Sequence, residues 1–378
     1  MLKHIVLLKS CLRHAGGLEK YATRIAKGFA DTGARVTILT TGDAPSSIPH
    51  PSISYHLIKT NSWPPFLRME QFDQQVAKWL QKEQPDLVFG MDRNRTQTHL
   101  RAGNGVHIAY LKSRILTEGH LKHWICRLNP MHRKILQLEK EAFENPRLQK
   151  LFANSQMVKK ELLEHYAIHP TKIEVIHNGV EWHEMQNDFQ EWGDKKQETC
   201  QNLQLNPNRF HFLFIGHGYA RKGLDPLLQG LAKLKNCDVH LSIIGKDNQM
   251  RFYTDLVAQY GLKNQVRFFG PQIHIRPFYQ LADALVIPSF YDPFANVTIE
   301  ALAMGLFVLS SKHNGGSEIL KPSHGTLIQD LLDPDSMLHA LTDALRHRKT
   351  AGSAIAARQS VAHLDFSQQL HKLIEACG

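Results

Sequence analysis

The stretch Val286–Gly305, VIPSFYDPFANVTIEALAMG, reads as a strand, a loop and a helix in direct succession, and that succession decides the fold. The apolar run Ala284 to Pro288 predicts a short buried strand ending at Pro288-Ser289. A loop, Phe290 to Phe294, leads into a helix that opens near Asn296 and runs to Gly305 as its C-cap. The start of such a helix offers uncapped N–H groups and a positive dipole end, which suits an anion such as a pyrophosphate. Glu300 lies about one turn in, where a carboxylate can accept from a vicinal diol such as a ribose. Asp292 stands eight positions earlier, on the loop. Two carboxylates straddling a strand-to-helix turn suit a sugar nucleotide; a buried helix with an acidic residue near its start meets the same spacing equally well.

The rest of the second half repeats this grammar. Phe210–Ile215 (FHFLFI) predicts a strand, and Gly216-His217-Gly218 opens a loop carrying Arg221, Lys222 and Gly223. A strand followed by glycines and two cations is a natural cradle for phosphate oxygens. Asp225-Pro226 predicts an N-cap with proline at N1. Further strands are expected at Val239–Ile244, Val266–Phe269 and Phe307–Ser310. No Walker loop is present, which argues against an ATPase.

In the first half, Ile5–Leu8, the helix Leu18–Ala30 and Arg35–Thr41 form a β–loop–α–β unit, the building block of a doubly wound parallel sheet. A G-x-G-x-x-G fingerprint is absent. The Gly16-Gly17 pair either lets backbone approach a ligand at the helix start or makes a plain tight turn. Strands follow at Ile53–Ile58, Asp86–Gly90, Leu151–Ala153 and Lys172–Ile176. The polar, basic segment Met91–Gly105 follows a strand end and is expected to line a crevice, with Asn104 and His107 as candidates; a single histidine is as readily a packed residue. The stretch 181–207 predicts a connection and one surface helix. The pattern is α/β, two Rossmann-like doubly wound domains over 1–180 and 181–360 facing a central cleft, with a closing helix in 361–378 able to cross back to the first.

Of the 378 residues, 42% are hydrophobic and 21% charged, as in a globular protein with sizeable cores. Residues 1–180 hold 26 basic against 15 acidic side chains, and residues 181–378 hold 19 against 20. The whole net charge of +10 therefore comes from the first half, which is the half suited to an anionic partner. Cationic density peaks over Tyr110–Phe143, where Lys112, Arg114, Lys122 and Arg127 are interleaved with Trp124 and aliphatics. Such a segment fits anionic headgroups, although a solvated helix face has the same look. Only Glu118 opposes the positive charge over Lys112–Lys134. The five cysteines are widely spaced with no C-x-x-C, which predicts reduced thiols in a cytosolic compartment and no zinc site. No apolar stretch approaches 18 residues, so membrane contact is expected to be peripheral. No zinc-finger, RRM or helix-turn-helix signature supports nucleic-acid binding.

Four segments together resemble the retaining glycosyltransferases of the GT-B fold, family 4, and especially the lipopolysaccharide-core glucosyltransferases and their heptose-adding relatives. They are HAGGLEKYA at His14–Ala22, RAGNGVH at Arg101–His107, GHGYARKGLD at Gly216–Asp225 and YDPFANVTIEALAMG at Tyr291–Gly305. The resemblance implies a nucleoside-diphosphate sugar donor, a UDP-sugar foremost, held by the second domain. Arg221, Lys222 and Gly216 would meet the phosphates, with backbone at Asn296 and Val297, and Glu300 would meet the ribose. It places Gly16 and Gly17 near the donor phosphates, and His107, Asn104 and Asp292 at the reacting sugar. It further implies no divalent metal, retained anomeric configuration, a lipid-linked phosphorylated saccharide acceptor, and a cytoplasmic enzyme peripheral to the inner membrane. Two positions depart from the family: Asp292 stands where glutamate is usual, and Asn104 where relatives often carry an acid. The first bears on donor choice, the second on any base role. A sugar-nucleotide epimerase of the same fold is the alternative enzyme.

Overall fold

The computed structural model describes residues 2–11, 17–41, 50–60 and 63–378, and the side chains of these except residues 17–20 and 120–127. The chain divides into two compact units, Met1–His177 with Gln369–Gly378, and Asn178–Gln368.

In the first unit seven strands form one parallel sheet: β1 (His4–Leu8), β2 (Arg35–Thr40), β3 (Ile53–Leu57), β4 (Leu87–Gly90), β5 (His99–Arg101), β6 (Lys150–Ala153) and β7 (Ile173–Val175). Their order is β3-β2-β1-β4-β5-β6-β7. β1 is buried along its whole length because helices cover both faces of the sheet, and its side chains alternate between two cores. Ile5 and Leu7 pack with Ile25, Phe29 and Phe89, while Val6 and Leu8 pack with Phe72, Val76 and Val88. The helix Phe366–Glu375 brings Leu370, Leu373 and Ile374 into the first of these cores. Gly28 is the reason it fits closely: a Cβ there would stand 2.7 Å from Ile374 Cδ1 and 2.9 Å from Leu370 Cδ2.

The second unit has six parallel strands: β8 (Phe210–Ile215), β9 (Val239–Ile244), β10 (Val266–Gly270), β11 (Ala284–Ile287), β12 (Phe307–Ser311) and β13 (Gly325–Ile328). The order is β10-β9-β8-β11-β12-β13. Phe210, Phe212 and Phe214 enter one core with Leu241, Ile243 and Val286. Leu213 enters the other with Leu285, Ile287 and Val308. In each unit the chain winds outward from its first strand and returns to that strand's other side, so the winding reverses between β1 and β4 and between β8 and β11. Such a reversal opens a crevice at the carboxyl ends of the two strands, and ligands of open α/β sheets bind there.

Several local expectations are revised. The helix expected to start at Asp225 instead spans Leu224–Lys233 with Gly223 as N-cap, and Asp225 sits in its first turn, accepting from Gln229 at 3.1 Å and Tyr260 at 3.3 Å. The helix opening near Asn296 ends at Ala303 with Met304 as C-cap, and Gly305 follows in the left-handed region at φ 77°. The stretch 181–207 holds two helices, Gln186–Gln190 and Trp192–Asn202, and the second is anchored inward. Its Lys196 is buried on Asp283, with Nζ 3.1 and 3.2 Å from the two carboxylate oxygens. Of the segment 91–105, Arg93, Arg101 and Asn104 border a small recess, and Arg95 does not. Arg101 is buried with its guanidinium 4.6 Å from the Tyr21 ring centroid, and Arg95 is clamped by Glu70, Asp73 and Glu141. Arg93 and Arg95 turn inward because acids from helices remote in sequence reach them, which no local pattern reveals.

Candidate functional site

The crevice at the β8/β11 reversal is built from two loops. After β8, Gly216-His217-Gly218 leads into a single helical turn, Tyr219–Lys222, closed by Gly223. Gly218 and Gly223 have φ of 72° and 74°, which glycine adopts without strain. At Gly223 the requirement is absolute, because a Cβ would fall 1.8 Å from the Pro288 carbonyl oxygen. That contact presses the Arg221-Lys222 turn onto the end of β11. Gly216 serves the same turn from the other side, since the Lys222 stem lies where its Cβ would be, 3.0 Å from Cγ.

The second loop brings Asp292 to these cations. Lys222 Nζ donates to Asp292 Oδ2, both side chains being buried, and Arg221 Nη1 lies 3.6 Å from the same oxygen. Arg221 Nη1 also donates to the Tyr291 carbonyl at 2.9 Å, and the Phe290 N–H donates to the Arg221 carbonyl at 2.9 Å. Asp292 Oδ1 accepts from the Phe294 N–H at 3.2 Å. The carboxylate thus holds Lys222 with one oxygen and its own loop with the other. Two cations facing one anion leave a positive surplus at the crevice.

The helix Asn296–Ala303 starts beside them, and its N-cap Ala295 supplies no side-chain cap. Asn314, fully buried, fixes that start: its Oδ1 accepts from the Ala295 and Gly316 N–H groups at 3.0 and 3.1 Å, and its Nδ2 donates to Thr298 and Ser310. Asn296 is exposed, its Oδ1 accepting from Asn178 Nδ2 at 2.6 Å, and Val297 is half-buried. Glu300, half-buried one turn in, accepts from the Tyr279 hydroxyl at 2.7 Å. Burial first, and then the Glu300 charge, push that phenol well above its usual pKa, so it stays a donor. Arg221, Lys222, Gly216 and Asp292 are therefore brought together as one cluster, while Asn296, Val297 and Glu300 lie along the adjoining helix.

The first-unit candidates meet a different environment. Gly16 lies outside the described residues, and Gly17 opens the helix Gly17–Asp31. Asn104 is exposed on a turn that bounds a small recess with Asp92 and Arg93. His107 starts the helix His107–Leu128 and is buried. Its Nε2 is 3.0 Å from His132 Nδ1, and His132 Nε2 is 3.3 Å from Arg114 Nη1. Burial, followed by the charges of Arg93, His132 and Arg114, pushes His107 down to about 4, leaving a neutral imidazole at neutral pH. The His107 N–H is held by Glu139, which is fully buried and also accepts from Arg93 Nε at 2.6 Å and the Tyr166 hydroxyl at 2.7 Å. Glu139, Tyr279 and Asn314 are the residues that sequence reasoning misses. Their partners lie 32, 21 and 19 positions away, so only the fold identifies them.

The cationic segment occupies two helices, His107–Leu128 and Pro130–Phe143. Its charge is opposed by more than Glu118, which holds Arg114 at 2.6 Å. Lys134 pairs with Glu70 at 2.5 Å, and Lys112 lies 3.5 Å from Glu164. Leu116 and Leu128 remain exposed, and Lys122, Trp124 and Arg127 lie in the first helix, their side chains outside the described residues. No helix among the described residues is long and apolar enough to cross a membrane.

Two family models match the chain, Glycosyltransferase Family 4 over residues 15–183 and Glycosyl transferases group 1 over residues 195–361. An uncharacterized glycosyltransferase of Methanocaldococcus jannaschii is 26% identical over 86% of this chain and 84% of its own. The lipopolysaccharide glucosyltransferase WaaG of Escherichia coli is 22% identical over 95% of this chain and 93% of its own. Among solved structures, WaaG superposes with a TM-score of 0.77 at 19% identity, covering 99% of each chain. HepE of Anabaena, solved with UDP and glucose, gives 0.67 at 20% identity over 100% of this chain and 99% of that one.

Proposed function

Since the chain belongs to the GT-B glycosyltransferases of family 4, we propose that it transfers a hexose, with retained anomeric configuration, from a nucleoside-diphosphate sugar to a lipid-linked phosphorylated saccharide such as a lipopolysaccharide core. The observation that carries this reading is the cluster at the β8/β11 reversal, where Arg221 and Lys222 outnumber Asp292 beside a helix start without a side-chain cap. Charge that develops on a departing diphosphate is stabilised by donors already fixed in place, and here the glycines and Asp292 fix them. Those cations and the helix dipole take the part a divalent metal plays elsewhere, so the reaction proceeds without one. Glu300 takes the ribose, oriented by Tyr279. UDP is the leading nucleotide because HepE, of the same fold, was solved with UDP and glucose.

The acceptor hydroxyl attacks on the face from which the diphosphate leaves, and the departing phosphate takes its proton. The first unit holds the acceptor. His107 contributes as a neutral imidazole, able to donate or accept a hydrogen bond but not a fixed charge at neutral pH. Its net positive charge and the exposed Lys112, Leu116 and Leu128 suit a cytoplasmic enzyme docked on the anionic inner-membrane surface, with Arg114, Lys122, Trp124 and Arg127 in the same helix. Incubation with UDP-, GDP- and ADP-sugars and a lipid saccharide acceptor tests the reading. Transfer from one donor, in EDTA, with the donor's anomeric configuration in the product, is expected. Absence of both transfer and donor hydrolysis across the panel overturns it, and an epimerised sugar nucleotide formed without acceptor establishes the alternative.

A further inference from the structure

At the edge of the second sheet opposite the donor loops, the amino-terminal side of β8, β9 and β10 surrounds a cavity of about 220 Å³. Arg209, Lys263 and Arg267 line it together with Asn206, Asn264 and His240, and no carboxylate is part of the lining. His240 is a buried member of the lining, 5% exposed, with its Nε2 closed off from the cavity. The neighbouring His211 ring, 5.6 Å away between centroids, is already committed through its Nε2 to the Asn206 carbonyl at 2.9 Å.

The guanidinium groups are held rather than loose. Arg209 Nη1 donates to the Asn264 carbonyl at 2.9 Å, and its Nε lies 2.7 Å from Asp238 Oδ1 in an ion pair without hydrogen-bond alignment. Arg267 Nη1 donates to the Leu203 carbonyl, with its guanidinium 4.9 Å from the Phe269 ring centroid. Each arginine has five N–H donors, so several on each remain for a ligand. Folding alone gives no reason for this arrangement. Three cations converge on one depression, and among the described residues only Arg209 is paired with a carboxylate, Asp238. An oxyanion offsets the remaining repulsion, since it accepts from preorganised arginine forks and an ammonium together. Burial first, and then His211, Arg209 and Arg267, push His240 down to about 3, so its ring is neutral at neutral pH.

We propose that this cavity is a phosphoryl-binding site, separate from the donor crevice, with Arg209, Arg267 and Lys263 taking the oxygens of a phosphate group. The ligand is free phosphate or the phosphate of a small organic monoester, since the group recognised is the same. The inference does not rest on the transferase reading.

Thermal melting and calorimetry of the full chain at constant ionic strength, with UDP held at saturation to occupy the donor crevice, test it. Inorganic phosphate and glycerol 3-phosphate are the probes. Saturable stabilisation that persists under UDP is expected, with affinity falling about tenfold or more in Arg267→Glu and in Lys263→Glu, one charge-assisted hydrogen bond being of that size. Both changes are at exposed positions, and an unchanged circular dichroism spectrum and unliganded Tm show that the variants fold. Tighter binding of the ester assigns an organic phosphate, and equal binding assigns free phosphate. In the unvaried chain the His240 imidazole ¹⁵N resonances should move with the same titration. Stabilisation by neither probe, or stabilisation that UDP abolishes and the charge reversals leave intact, overturns the proposal.

Discussion

Replacing Tyr279 by phenylalanine removes one oxygen and nothing else, which makes it the sharpest probe of the donor crevice. The Tyr279 hydroxyl is buried and donates to Glu300 at 2.7 Å. A hydrogen bond to a charged acceptor contributes about 1.5–3 kcal/mol. Glu300 is half-buried, so water recovers part of this, and the lower end, about 1.5 kcal/mol, applies to stability. In a folding unit of this size each kcal/mol moves the midpoint by about 2–4 °C, so Tm should drop by roughly 3–6 °C. The effect on function is separate. Without its anchor the Glu300 carboxylate regains rotamer freedom worth about 1 kcal/mol, which ribose binding must remove again, so KM for the donor should rise roughly fivefold. The ribose is bound alike in ground and transition states, and kcat should stay within about twofold. Differential scanning calorimetry and initial-rate kinetics with the best donor give both numbers. A lowered Tm with unchanged donor KM would show that Tyr279 only packs, and a loss confined to kcat would place Glu300 at the reacting sugar rather than the ribose.

Lys222→Met keeps the stem that lies over Gly216 but removes the charge, and kcat should fall by about 10²–10³ while donor KM changes little; steady-state kinetics showing the reverse split would remove Lys222 from the leaving-group side. Gly223→Ala forces an L-residue to φ 74°, about 1–2 kcal/mol of backbone strain, and drives a methyl into the Pro288 carbonyl. The loop must shift, so both Tm and activity should fall, and a fully active, equally stable variant would contradict the packing described. Stability should also drop as pH falls from about 6.5 towards 4, because unfolded imidazoles bind protons there while His99 and His107, each pushed down to about 4 by burial first, do not. Above about pH 10 it should drop again, since unfolded phenols ionise while Tyr219, pushed up to about 12 by burial, and Tyr279 stay protonated. Urea titrations at fixed pH read both limbs, and a flat profile from pH 4 to 6.5 would refute the first.

What was legible in the sequence followed from short-range periodicity. The runs IVLL, FLFI and ALVI within β1, β8 and β11 are apolar without interruption because each is central in a parallel sheet covered on both faces, and such runs declare themselves. The two loops that meet at the β8/β11 reversal were legible because glycines and charges stand close to strand ends, as at Gly216–Gly223. Arg95 was misjudged for the opposite reason. Arg95 looks like a crevice residue until Glu70, Asp73 and Glu141 arrive from two other helices, and Arg95 with Lys134 then holds Glu70 down at about 2. Lys196 likewise looks solvated on its helix, yet Asp283 at the start of β11 draws it inward. Electrostatic partners chosen by the tertiary fold leave no periodic trace.

The two winding reversals make the division of labour a matter of local rather than total charge. Both units place a lysine near the carboxyl end of the first strand's path and an aspartate after the fourth strand in order: Lys9 with Asp92, and Lys222 with Asp292. In the first unit Asp92 is fully engaged, accepting from Lys9 Nζ at 2.8 Å and from the Ser10 N–H and hydroxyl at 2.7 Å each. Among the described residues that reversal is neutral, one cation to one anion. In the second unit Arg221 joins Lys222 against the one carboxylate of Asp292, so this pair of loops carries two cations to one anion. The first half holds the excess cations of the whole chain, yet the crevice suited to a diphosphate is the one in the half that is nearly neutral overall. On the proposed reading, long-range charge would draw an anionic partner towards the first unit, while a leaving diphosphate needs two fixed donors within hydrogen-bonding reach. The loop Gly216–Gly223 meets that second requirement with one arginine and three glycines that a composition count would pass over.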